Sequence, residues 1–158
     1  MFRKVARIKQ SLEMPQIIRI LKNEKRGVLS VHGENGYPYG LPINYWYHEE
    51  SGRIYFHSGK KGHKIDAIRA DNRVSFCVYD EGFRREGEWA LNIQSVIVFG
   101  TLHLVEDPER SEEIFRYMSL QFTSDLEHID SEIQKFAKDT LCYELRPSHI
   151  TGKIVNES

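Results

Sequence analysis

The chain lacks most of what would mark a specialised class. Its charges nearly cancel, 22 Lys plus Arg against 23 Asp plus Glu for a formal −1, so the overall field of a general nucleic-acid binder is missing. No unbroken apolar run exceeds the four residues of Val96–Phe99, far below the ~20 of a membrane span or the ~7–15 of a signal-peptide core. A soluble, cytoplasmic protein with neither membrane nor nucleic acid as partner is expected. Cysteine is scarce: Cys77 and Cys142 stand 65 positions apart without a CxxC pairing and read as two buried thiols in strands, not as a disulfide framework or a metal set. HExxH, GxSxG and GxGxxG are all absent. The seven histidines therefore do not make a zinc-protease helix, Ser58, His57 and Asp66 have no hydrolase elbow, and a Rossmann site is excluded.

What is present fits one folded unit. A length of 158 residues with 40% hydrophobic, 28% charged and 11% aromatic content predicts a single domain over 1–158, with 1–11 as a basic N-terminal arm. The charge is uneven along it. Residues 1–26 carry eight cations (Arg3, Lys4, Arg7, Lys9, Arg19, Lys22, Lys25, Arg26) and two acids, net +6, whereas 106–139 carry ten acids and four cations, net −6. Solvated faces of two helical regions account for both.

A short helix is predicted from the Ser11-to-Pro15 start through Ile17, Ile18, Ile20 and Leu21, ending near Gly27. Strand language follows: GVLSVH, YPYGLPINYWYH and RIYFH, separated by polar turns at 33–36 and 49–52. KKGHKIDAIRADN reads as a short helix running into the strand RVSFCVY. The charged stretch 80–92 reads as a loop or distorted strand in which Trp89 is either a satellite core residue or an aromatic facing a substrate. LNIQSVIVFGTLHLVED is one long strand with a bulge or bend at Gly100, then come a helix from Asp107-Pro108, a second helix at about 130–138, and two terminal strands, LCYELRP and HITGKIV. Some seven strands joined mostly by short turns predict a mainly β, α+β protein, an antiparallel split β-barrel with a few peripheral helices.

Two segments carry chemistry. In Phe56-His57-Ser58-Gly59-Lys60-Lys61-Gly62-His63-Lys64, cations crowd a helix start, where the dipole and the unpaired N–H groups favour anions. A bound phosphate held by backbone N–H groups, the Ser58 hydroxyl and a lysine would remove the conflict; a solvated turn is the other reading. In Gly36-Tyr37-Pro38-Tyr39-Gly40-Leu41-Pro42-Ile43-Asn44-Tyr45-Trp46, two prolines cannot donate ladder hydrogen bonds. The strand edge is then open to something flat and aromatic, enclosed by Tyr45, Trp46 and Tyr47, or is an ordinary edge with core aromatics.

The succession of G-YPYGLPINYWY, IYFHSGKKGHKIDAI, RVSFCVY, SVIVFGTLHLVED and a terminal ITGK, over about 12–155, resembles the pyridoxamine 5′-phosphate oxidase-like flavin proteins, and among them the 5-nitroimidazole resistance (Nim) type. The resemblance implies a split barrel, a homodimer, and FMN, less often FAD, in clefts between subunits. It implies that Ser58 and Lys64, with His63 or Lys61, hold the flavin phosphate. Pro42, Ile43, Asn44 and Tyr45 would lie along the isoalloxazine, largely through backbone. His57 resembles the histidine near the flavin and is the catalytic candidate; Ser95 and Val96 resemble the strand that reaches the neighbouring subunit's cofactor. The segment Glu81 to Glu88 matches no family motif. The activity implied is FMN-dependent reduction of a small acceptor such as a nitroimidazole, with NAD(P)H or another donor, without a metal; a flavin- or haem-binding module without turnover is the alternative.

Overall fold

The computed structural model describes residues 1–3 and 5–157, so Lys4 of the basic arm lies outside them. Helix α1, Met14–Asn23, has Pro15 in its first turn, where the missing N–H costs nothing. Its cap is Glu13, whose N–H donates to Gln16 Oε1 at 2.9 Å, while Ser11 makes an isolated bridge to Lys153. Ile17, Ile20 and Leu21 bury one helical stripe against the sheet.

Seven strands follow in the chain: β1 (Arg26–His32), β2 (Pro38–Asn44), β3 (Trp46–His48), β4 (Arg53–Gly59), β5 (Arg73–Tyr79), β6 (Asn92–Val105) and β7 (Thr140–Asn156). They form one antiparallel sheet in the order β2-β1-β5-β6-β7-β4-β3. The order dictates the shape. β2 and β3 are its two edges, yet Tyr45 alone separates them in sequence, so the sheet must curl until its edges approach. The product is a half-barrel of the split type, open between β2 and β4.

Two expectations about strands are corrected here. The continuous alternation of YPYGLPINYWYH conceals a change of partner: β2 pairs with β1, Arg26 opposite Asn44, whereas β3 pairs with β4, Trp46 opposite Tyr55. Conversely, the two terminal strands are one, because Pro147 and Ser148 are absorbed where the β6–β7 register shifts at Phe99/Gly100. Gly100 is required there: a Cβ would stand 2.2 Å from the Arg146 carbonyl oxygen.

Alternation fills the barrel with Leu29, Ile54, Phe56, Phe76, Val98 and Leu145, none more than 1% exposed. Phe76 receives both Tyr45 and Phe56 edge-on at 5.0 Å, and each such buried ring contributes about 1.5–3 kcal/mol. The outer face of β4 and β7 is covered too. Helices α3 (Pro108–Leu120) and α4 (Leu126–Phe136) form a hairpin, and α3 packs Ile114 and Met118 on Tyr55 and Cys142. Helix α4 begins earlier than the periodicity predicts, because the Asp125 side chain caps it, accepting from the His128 N–H at 3.0 Å. The short helix α2, His63–Ala70, links β4 to β5. Cys142 is buried, its thiol pushed up to about 12 by desolvation, and Cys77 is only half-buried. Trp89 is 78% exposed, so it is not a core residue. No helix among the described residues is long and apolar enough to cross a membrane.

Candidate functional site

The split is where the sequence concentrates its chemistry. At the end of β2 the chain must leave β1 and cross to β4, and Pro42, Ile43 and Asn44 line a cleft of about 300 Å³ there together with Arg26 and His57. Asn44 Oδ1 accepts from Arg26 Nε at 3.0 Å, which fixes the cleft wall. His57 comes from β4, on the face opposite Ile54 and Phe56. Its ring is exposed to the cleft, yet the protein packed around it lowers the imidazole pKa, burial acting first and the nearby Lys64 charge second. Near neutral pH both causes favour the uncharged imidazole.

Beyond His57 the strand ends at Ser58 and Gly59 and turns into α2. Gly62 is the N-cap, with φ of +119° and no side-chain cap, so the first N–H groups of α2 lack intrahelical partners. A Cβ at Gly59 or Gly62 would meet nothing within 4 Å; the space over the turn is open. Lys64 is half-buried, makes no ion pair among the described residues, and has its pKa lowered by burial. An ammonium so placed calls for an anion. The Tyr143 hydroxyl, on β7 beside Ser58 and Arg69, is buried without meeting the geometry of a hydrogen bond to either, and burial raises its pKa. Unpaired N–H groups and an uncompensated, half-buried cation at one turn fit a phosphate group.

The predicted residues divide accordingly. Pro42, Ile43, Asn44 and His57 come together in the cleft, and Ser58 and Lys64 flank the anion-ready turn. Lys61 is exposed, and the His63 ring stacks on Tyr39 at 4.3 Å, so it braces α2 against β2. Tyr45 offers the cleft nothing: its ring is fully buried, its hydroxyl donates to the Leu21 carbonyl at 3.0 Å, its N–H goes to Lys25 and its carbonyl accepts from Gln121 Nε2 at 2.9 Å. Tyr47 is likewise core, and Trp46 stacks on Tyr117 at 4.5 Å, so these aromatics do not enclose a ligand. Ser95 and Val96 stand apart from the cleft, in the middle of the sheet. The Val96 side chain is fully buried and its backbone is paired to both β5 and β7, leaving only Ser95 of that pair turned outward and half-buried. Arg26 was not expected in the site; the clue lies in its register opposite Asn44, which no local pattern displays.

Comparison with known proteins decides the family. The family model for pyridoxamine 5′-phosphate oxidase matches residues 13–154. The chain belongs to the pyridoxamine 5′-phosphate oxidase family. Its split barrel is shared by a candidate 5-nitroimidazole antibiotic resistance protein from Bacteroides thetaiotaomicron, at a TM-score of 0.79 and 19% identity over 92% of this chain and 87% of that one. A conserved hypothetical protein from Mycobacterium tuberculosis matches at 0.79 and 17% identity over 96% and 90% of the two chains. An FAD-binding protein from Mesorhizobium loti matches at 0.65 and 20% identity over 92% and 97%. These likenesses are of fold. No curated protein matches this member of the pyridoxamine 5′-phosphate oxidase family in sequence.

Proposed function

We propose that the protein is an FMN-dependent oxidoreductase that reduces a small acceptor, nitroimidazoles among them, and works as a homodimer with the cofactor in the split of each barrel. The observation that carries this reading is the juxtaposition of a proline-interrupted strand end, Pro42 to Asn44, and His57 in one cleft, next to a turn that lacks only an anion. The family supports it, as does the FAD named for the Mesorhizobium relative. FMN is proposed as the smallest flavin carrying the phosphate that the Ser58–Lys64 turn calls for; FAD carries the same phosphate.

Bound flavin would supply the redox chemistry, taking electrons from NAD(P)H or another donor and passing them on. The chain's own residues position and polarise. Pro42 presents no N–H of its own, so a flat ring can approach that stretch of β2 closely. Lys64 and the first N–H groups of α2 neutralise phosphate charge. His57, whose uncharged form is favoured by burial, can donate one N–H and accept at the other nitrogen, which suits it to hold an acceptor and to move a proton at that point. The open cleft, which a second copy would roof, supports the dimer; light scattering that reports a monomer while flavin stays bound contradicts it.

The experiment is His57→Ala in the flavin-loaded protein. Flavin affinity is expected to hold, while the rate of acceptor reduction falls by about 10²-fold. Unchanged kinetics with every acceptor would make His57 structural. A module that holds flavin or haem without turnover is the competing reading, and reoxidation of the reduced protein by a nitro compound separates the two.

A further inference from the structure

Behind His57, on the side away from Pro42, lies a second cavity of about 430 Å³ between the α3–α4 hairpin and the outer face of β4 and β7. It is of ligand size and has aromatic walls. Phe115, Phe122, Ile129 and Phe136 line it, with Ser119 among the polar positions. Phe122 and Phe136 are 47% and 55% exposed, a poor arrangement for phenylalanines on a soluble surface unless something covers them.

The cavity is joined to the cleft at two points. His57 lines both, with its ring 5.4 Å from Phe115. Phe122 lines the cavity on one side, while Lys25 and Arg26 stack on it at 5.3 and 5.7 Å, and Arg26 is itself a wall of the cleft. Arg26 therefore belongs to the cleft, and neither cation lines the cavity. The cavity lining itself holds one carboxylate, Glu132, paired with Lys135 at 3.3 Å, and no lysine or arginine.

We infer that this hairpin cavity is the acceptor pocket, and that it takes a flat, apolar aromatic molecule bearing no negative charge. The acceptor role rests on the reading that a flavin occupies the adjoining cleft; the ligand class rests on the cavity alone. Aromatic walls reward ring-on-ring packing, whereas an anion would be desolvated beside the Glu132 carboxylate with no lysine or arginine in the lining to meet it.

The test is calorimetric titration of the full chain, with and without FMN, using two bicyclic probes of similar size, quinoline (uncharged at neutral pH) and 2-naphthoate. Quinoline is expected to bind, 2-naphthoate about tenfold or more weakly, and Ser119→Phe to weaken quinoline by about tenfold while leaving FMN affinity unchanged. Ala137→Phe, on another wall of the cavity, should act alike and guards against misfolding of the first variant. With FMN bound, quinoline should also compete with the acceptor. Failure of quinoline to bind, equal binding of both probes, or insensitivity to both filling variants overturns the inference. A chain that takes no FMN but still discriminates the probes removes the flavin reading and the acceptor role, and leaves the ligand class standing.

Discussion

Replacing Lys64 by methionine separates a residue that serves the fold from one that serves an anion. The side chain keeps its length and loses its charge, at a position where the ammonium is half-buried, unpaired among the described residues and depressed in pKa by desolvation. The sign of the stability effect follows. A base whose folded pKa is lowered costs stability while it is charged, at every pH below that lowered value, and the cost disappears as pH rises through its ordinary 10.5. The empty Lys64→Met protein should therefore melt at or above the wild-type temperature near neutrality. With FMN present the order reverses. A charge-assisted hydrogen bond to phosphate contributes about 1.5–3 kcal/mol, which corresponds to roughly a ten- to hundredfold loss of FMN affinity. Riboflavin, which has the ring but no phosphate, should bind both proteins alike. Fluorescence titration of both ligands into both proteins reads all four constants. An equal loss for riboflavin would show that Lys64 shapes the cleft instead of meeting the phosphate, and a destabilised empty protein would refute the electrostatic reasoning.

Two further outcomes are expected from the same charges. NMR titration of His57 should place its pKa below the ordinary 6.5, and Lys64→Met should move it only part of the way back, because burial and not the lysine is the larger cause; a full return would reverse that ranking. Glu144, 8% exposed, accepts from Arg53 at 2.9 Å, Tyr55 at 3.1 Å and Arg146 at 2.6 Å, and these partners outweigh desolvation to lower its pKa. The stabilisation is present above the ordinary Glu value of 4.5 and lost as pH falls through the lowered one; Glu144→Gln should cost about 1–3 kcal/mol at pH 7 and flatten acid unfolding in thermal melts, and an unaltered acid limb would contradict the assignment.

The strands that alternate cleanly, RVSFCVY and the long LNIQSVIVFGTLHLV, were legible because period-two burial is a local property. Partner identity is not local, and both strand errors come from it. Nothing in PINYWYH announces that Asn44 faces Arg26 while Trp46 faces Tyr55. Pro147 looks terminal until Gly100 lets the Arg146 carbonyl come close and the ladder resumes. The site follows the same division. Pro42 and the Ser58–Lys64 turn announce themselves through missing N–H groups and misplaced charge, whereas Arg26, Phe115 and Phe122 enter by distant contacts. A tyrosine beside a cleft and a tyrosine plugging a core have the same sequence signature; its bond to the Leu21 carbonyl places the Tyr45 ring in the core.

A flavin in the split of the barrel is tested most directly by the mass of what the purified protein releases on denaturation. A yellow protein that releases FMN, or an empty one that takes up FMN and turns yellow, is expected. A colourless protein that refuses added FMN, or one that releases haem alone, would contradict it.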